Sequence, residues 1–177
     1  MTNLINFITI ARIILAPVIL LFLIFENYLI CILLFFLAGV SDYFDGYLAR
    51  RYRAESQLGE ILDPIADKIL IVFILIGLSV TLDSFLIATL SSLIIAREIG
   101  VAALRDYSAR NNISDRTKVT YLAKTKTSIQ LFSIGLYLFA LTFSINLLLI
   151  VSDIFLIITA LITLYTGFQY LVSVFKE

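Results

Sequence analysis

The sequence predicts an all-α integral membrane protein with six transmembrane helices and both termini cytoplasmic. A short interfacial segment is expected ahead of the first helix. Three observations carry this expectation. Of the 177 residues, 61% are hydrophobic and only 15% are charged, and mean hydropathy is +1.05. A soluble domain has about 45–50% apolar and about 25% charged residues. The apolar residues also form runs near the ~20 residues that cross a bilayer, and the basic residues alternate with them in a way that fixes an orientation. The composition excludes a soluble globular enzyme, a disordered chain and a nucleic-acid-binding module. With no His there is no Ser-His triad and no imidazole metal ligand, and the lone Cys31 allows no internal disulfide.

Each span follows in order. The first apolar run extends from Leu4 to Phe25 and is interrupted chiefly by Arg12; Glu26-Asn27-Tyr28 separates it from the second, Leu29 to about Leu48. The third runs from Ile61 to Val80 and stops at Thr81-Leu82-Asp83-Ser84, and Phe85 to Leu104 is the fourth. From Thr127 to Val174 the chain stays apolar long enough to cross twice, with a turn expected between Ser144 and Asp153, near Asn146 or Ser152-Asp153. No basic stretch precedes the first run and no small-x-small site follows it, so it does not read as a cleavable signal peptide. Residues 1–177 read as one membrane domain.

On this parse every Lys and Arg falls on one side. They are Arg12, Arg50, Arg51, Arg53, Lys68, the group from Arg97 through Arg116 and Lys118 to Lys126, and Lys176. The opposite turns carry Glu26, Asp83 and Asp153 without a basic residue. The basic side is the cytoplasmic one.

Thirteen acids balance thirteen bases, so electrostatic function must come from position. Asp42 and Asp45 close span two, and Asp63 and Asp67 open span three. At 100° per residue, Asp42, Asp45, Gly46, Ala49 and Arg50 fall within roughly 140° of one another, and Gly59, Asp63 and Asp67 cover about 80°. Two antiparallel helices would then aim four carboxylates at one place. An Asp at the bilayer centre costs about 2.5–3.5 kcal/mol, less near the interface, and four together repel unless cations bind. Oxygen donors favour hard ions such as Mg²⁺ or Mn²⁺. Gly46, Ala49 and Gly59 leave room beside them for a bulky group, and Arg50 supplies a cation for a phosphate. The plainer alternative has the acids capping helix ends and pairing with Arg50, Arg51, Arg53 and Lys68. Two acid pairs joined by a basic turn, with small residues in phase, weigh against it.

The pattern Asp42-x2-Asp45-Gly46-x2-Ala49-Arg50-x8-Gly59-x3-Asp63-x3-Asp67 resembles, at every position, the signature of the CDP-alcohol phosphatidyltransferase family. That resemblance implies a six-helix membrane fold and a site for two Mg²⁺ or Mn²⁺ ions built from Asp42, Asp45, Asp63 and Asp67. It further implies that CDP-diacylglycerol binds with CDP against Asp42, Gly46, Ala49, Arg50 and Gly59, that Asp67 is the catalytic base, and that the chain forms a homodimer.

The acceptor alcohol must be recognised elsewhere. Arg97 and Arg105 stand eight apart, about 80° on a helix, and Arg110, Lys118 and Lys124-Thr125-Lys126-Thr127 follow. An anionic acceptor would be drawn there; the alternative is topology and attraction to anionic lipid. The segments AREIGVAALRDYSA and AKTKTSIQ, and NFITIARIILAP at the start, are similar to the bacterial members that make phosphatidylglycerophosphate, with Ala123 standing where relatives often have Gly. This implies glycerol 3-phosphate as acceptor; Arg97, Arg105, Arg110 and Lys124, by charge and placement, are the candidate ligands of its phosphate, and a bacterial inner membrane is the expected location. Asn6, Thr9 and Arg12, three apart, suit an interfacial segment, with Arg12 snorkelling as a topology anchor and a place near the nucleotide as the lesser alternative. Two rivals remain open: another acceptor (inositol phosphate, serine or a phosphatidyl lipid) and a small cation carrier.

Overall fold

The computed structural model describes residues 2–52, 57–111 and 121–175. Those residues form six helices: α1 (Thr2–Ile24), α2 (Tyr28–Tyr52), α3 (Gln57–Thr81), α4 (Phe85–Arg110), α5 (Tyr121–Phe143) and α6 (Asn146–Phe175). Four carry stretches long and apolar enough to cross a membrane, namely Phe7–Ile24, Phe85–Arg110, Thr125–Phe143 and Asn146–Phe175; Tyr28–Asp42 is a shorter apolar helix. The side chains from Phe25 to Leu33 and along α6 leave many large apolar groups exposed, among them Phe25, Leu33, Leu147 and Phe168. Exposed apolar faces on such helices suit lipid rather than water. The chain is a multi-pass membrane protein.

Three turns share one construction. Glu26, Asp83 and Ser144 have φ of 59°, 44° and 55°, the left-handed region that usually falls to Gly after a helix. At the first, the Glu26 amide donates to the Leu23 carbonyl and the Asn27 amide to the Phe22 carbonyl; at the last, Ser144 donates to Leu141 and Ile145 to Ala140. These reversed bonds satisfy carbonyls that a helix end leaves open. The turn between α5 and α6 therefore lies at Ser144-Ile145, beside Asn146. The other expected location is corrected: Ser152 and Asp153 lie inside α6, so Asp153 is not a turn charge. Its carboxylate instead accepts from the Tyr137 hydroxyl. Glu26→Gly and Ser144→Gly should each stabilise the protein by about 0.5–1 kcal/mol, because Gly adopts the left-handed conformation without strain. Thermal unfolding in detergent measures this, and an unchanged or lower midpoint would contradict the turn geometry.

Two compact units divide the chain: residues 1–83 with 138–145, and residues 84–137 with 146–177. In the first, α1 packs on both α2 and α3. Contacts advance together along α1 and α3, from Thr9–Asp63 to Arg12–Asp67 to Leu23–Thr81, so these helices run parallel. Ala16, Ile19 and Leu23 of α1 and Ala66, Leu70, Ile74 and Leu78 of α3 are buried, repeating at helical spacing. Gly77 permits the close approach, since a Cβ there would lie 2.7 Å from Leu23 Cδ1. In the second unit α4 packs against α6. Three of the hydroxyls buried on α6 are satisfied locally: Ser152, Thr159 and Thr166 donate to the carbonyls of Leu148, Phe155 and Ile162 one turn back.

The N-terminal segment is not a separate element: Thr2–Ile24 is one helix with Pro17 inside it, and its polar positions Thr9 and Arg12 bond to acids of α2 and α3.

Candidate functional site

The first unit brings acids of α2 and α3 to one face of α1. Arg12 donates from Nη1 to Asp42 Oδ1 at 2.7 Å and to Asp67 Oδ1 at 2.9 Å. One turn earlier, Thr9 Oγ1 donates to Asp63 Oδ1 at 2.8 Å. Arg12 is only 2% exposed, which rules out the snorkelling reading. A guanidinium this deep needs counter-charges, and Asp42 and Asp67 supply them from two different helices. Their own side chains remain about half exposed, 50% and 46%, so oxygens not engaged by Arg12 stay open to a ligand.

Of the acids expected to converge, Asp42, Asp63 and Asp67 do gather around Thr9 and Arg12. The side chains of Asn6, Asp45, Gly46, Ala49, Arg50 and Lys124 lie outside the described residues, as do residues 53–56 and 112–120 with Arg53, Arg116 and Lys118. Gly59 is buried at the start of α3. Among the described residues no three acidic side chains form a ready-made metal cage; Arg12 stands between Asp42 and Asp67. The donor chemistry nevertheless fits a hard divalent cation. All donors are carboxylate oxygens, and two of them already converge on a positive charge.

The second unit holds a different cluster, built from α4, α5 and α6. Arg97 donates through Nη1 to Glu98 Oε1 at 3.0 Å and through Nη2 to Thr166 Oγ1 at 2.8 Å. Thr166 can accept because its own proton goes to the Ile162 carbonyl. Lys126 pairs with the same Glu98 oxygen. Arg105 donates from Nη2 to the Tyr170 hydroxyl at 3.1 Å. Arg97 and Arg105, predicted to share a face, both approach the Tyr170 ring, at 5.8 and 5.2 Å from its centroid. Arg110 behaves differently: it is exposed at the end of α4 and pairs with Asp106 at 2.9 Å.

Sequence reasoning missed the parts played by Lys126, Thr166 and Tyr170, and put Arg12 second-best beside the acids. A Lys-x-Lys entry to α5 is visible in the sequence, but the expectation there falls on Lys124, whereas the described cluster holds Lys126. Thr166 and Tyr170 sit in a run that gave no polar signal of its own.

A polytopic helical membrane protein with an acid cluster tied by a buried arginine, and with a cationic cluster in its second unit, can hold a cation at the one and an anion at the other. Comparison with known proteins narrows the class. A family model, CDP-alcohol phosphatidyltransferase, matches residues 2–169. The chain is similar to proteins named CDP-diacylglycerol–glycerol-3-phosphate 3-phosphatidyltransferase in several bacteria. It is 41% identical to that of Rickettsia bellii over 95% of this chain and 93% of the relative. For Haemophilus influenzae the identity is 36% over 93% and 89%, and for Yersinia enterocolitica 31% over 99% and 96%. The chain belongs to the CDP-alcohol phosphatidyltransferase family and is a transferase of phospholipid biosynthesis.

Proposed function

We propose that the protein transfers the phosphatidyl group of CDP-diacylglycerol to the sn-1 hydroxyl of glycerol 3-phosphate, giving phosphatidylglycerophosphate and CMP. Its relatives bear the name of that reaction along nearly their whole length. At residue level, the pairing of Asp42 and Asp67 across Arg12 carries the reading.

In the proposed reaction Asp67 takes the proton of the acceptor hydroxyl. The freed oxygen bonds to the β-phosphorus, the one bearing the lipid, and the bond from that phosphorus to the bridging oxygen breaks. CMP leaves with the electron pair. Asp42, Asp45, Asp63 and Asp67 are the residues to hold Mg²⁺ or Mn²⁺, two per site. When bound, the metals supply positive charge to the diphosphate oxygens. CDP lies against Gly46, Ala49 and Gly59 with Arg50 beside it. Arg97 and Arg105 take the acceptor's phosphate, while Arg110 and Lys124 draw the anion from solvent. The diacylglycerol tails stay in lipid throughout.

The direct test offers purified protein CDP-diacylglycerol with labelled glycerol 3-phosphate, inositol phosphate or serine, and follows which label enters lipid. Glycerol 3-phosphate alone is the expected substrate. Incorporation of another alcohol instead would overturn the acceptor while leaving the acid cluster its role. Cation flux in liposomes without lipid product would favour the carrier.

The six-span topology, with both termini and the active site facing the cytoplasm of a bacterial inner membrane, belongs to the same proposal. Its support is the distribution of basic residues. In a Cys31→Ser background, Ser114→Cys should react with an impermeant thiol reagent only after cells are opened. Labelling of intact spheroplasts would reverse the orientation. A homodimer, as the family resemblance implies, predicts twice the chain mass by light scattering in detergent, and a monomer mass would exclude it.

A further inference from the structure

We propose that Tyr170 of α6 is a positioning residue that holds Arg97 and Arg105 ready for the acceptor's phosphate. The inference rests on the reading that these two arginines bind that phosphate.

Two guanidiniums facing one place repel each other, and long side chains lose rotamer freedom when they are held together. Something must offset both. The Tyr170 ring lies within cation–π range of both arginines, 5.8 Å from the Arg97 guanidinium carbon and 5.2 Å from that of Arg105. Its hydroxyl accepts from Arg105 Nη2 at 3.1 Å, which fixes the direction of that fork. The ring itself cannot swing away readily. Tyr170 is 4% exposed and packs with buried Val101 and with Leu104 of α4.

One turn earlier, α6 shapes the space for Arg97. A Cβ on Gly167 would stand 2.8 Å from Arg97 Cγ and 3.1 Å from its Nε. Arg97 is held at both terminal nitrogens, by Glu98 and Thr166, whereas its buried Nε has no partner among the described residues. A polar donor left so in an apolar setting favours an incoming acceptor oxygen. The helix that looked featureless in sequence thus orders the two cations before the anion arrives, so less freedom is lost on binding.

The test compares Tyr170→Phe, Tyr170→Leu and Arg105→Ala in detergent, measuring kcat and both KM values. Tyr170→Phe keeps the ring and should raise the KM for glycerol 3-phosphate about fivefold. Tyr170→Leu loses ring and hydroxyl and should raise it about thirtyfold. In both, the KM for CDP-diacylglycerol should stay within about twofold. A merely structural role predicts something else: a smaller active fraction, with neither KM shifted selectively. That result for Tyr170→Phe, which preserves the packing, would overturn the proposal even if Tyr170→Leu did not fold. If Arg105→Ala raises the glycerol 3-phosphate KM and neither Tyr170 variant does, Tyr170 has no positioning role. If Arg105→Ala leaves that KM unchanged, the acceptor-site reading itself fails, and the proposal with it.

Discussion

Asp67→Asn is expected to lower CMP release by about 10³-fold at saturating Mg²⁺, within the range of general-base contributions. The substitution keeps the side chain's size but removes its negative charge, and with it the ability to take a proton at that oxygen. Arg12 would lose its ion pair with Asp67 but keep Asp42, at 2.7 Å, so the helices should remain packed. Metal binding should be weakened but retained, since Asp42, Asp45 and Asp63 are untouched. Asp42→Asn is expected to differ by losing metal affinity first, with turnover recovering in part as Mg²⁺ is raised. If Asp67→Asn turns over at near the parent rate, the proton goes elsewhere and the base assignment is wrong.

Arg12→Ala should have the second large effect, and on two observables. It leaves Asp42 and Asp67 facing each other without the guanidinium that each contacts. Removing one member of a buried ionic cluster costs about 3–5 kcal/mol; because these carboxylates are half exposed, about 2 kcal/mol is the expectation here. The thermal midpoint should fall, turnover should fall about 100-fold, and Mg²⁺ should stabilise the variant more than it stabilises the parent, since the cation then relieves carboxylate repulsion. Arg12→Lys distinguishes this role from a topology anchor. Snorkelling would be served equally by lysine, whereas a shorter ammonium lacks the forked reach of the guanidinium and should recover only part of the loss. Full activity and stability in Arg12→Lys would contradict the cluster geometry.

The contrast between these residues shows what a single chain makes legible. Helix positions could be read closely because lipid forces long apolar runs: the expected Phe85 start of the fourth run is the first residue of α4. Asp63 and Asp67 were legible because a fixed helical period places them on one face, and an unpaired acid in such a run is costly. Arg12 was misjudged for the converse reason. Periodicity describes a residue's own helix and says nothing of which helix packs beside it, so a lone arginine near a terminus looked like an interface anchor. Parallel packing of α1 on α3 turns it to the acids instead. Tyr170 and Thr166 were hidden more deeply. Their hydroxyls sit in a helix that is apolar for most of its length, and the approach of Arg97 and Arg105 from α4 gives them charged partners. The Ser144 turn was uncertain because a left-handed serine carries none of the signal that a glycine would.

The measurement that bears most directly on the account is CMP release by detergent-purified protein given CDP-diacylglycerol and Mg²⁺, with and without glycerol 3-phosphate, before and after chelation. The account predicts release that requires the acceptor, stops on chelation, returns with Mg²⁺ and is missing in Asp67→Asn. Release that proceeds unchanged in chelator, or none with any acceptor alcohol, would contradict a metal-supported phosphatidyl transfer at the acid cluster.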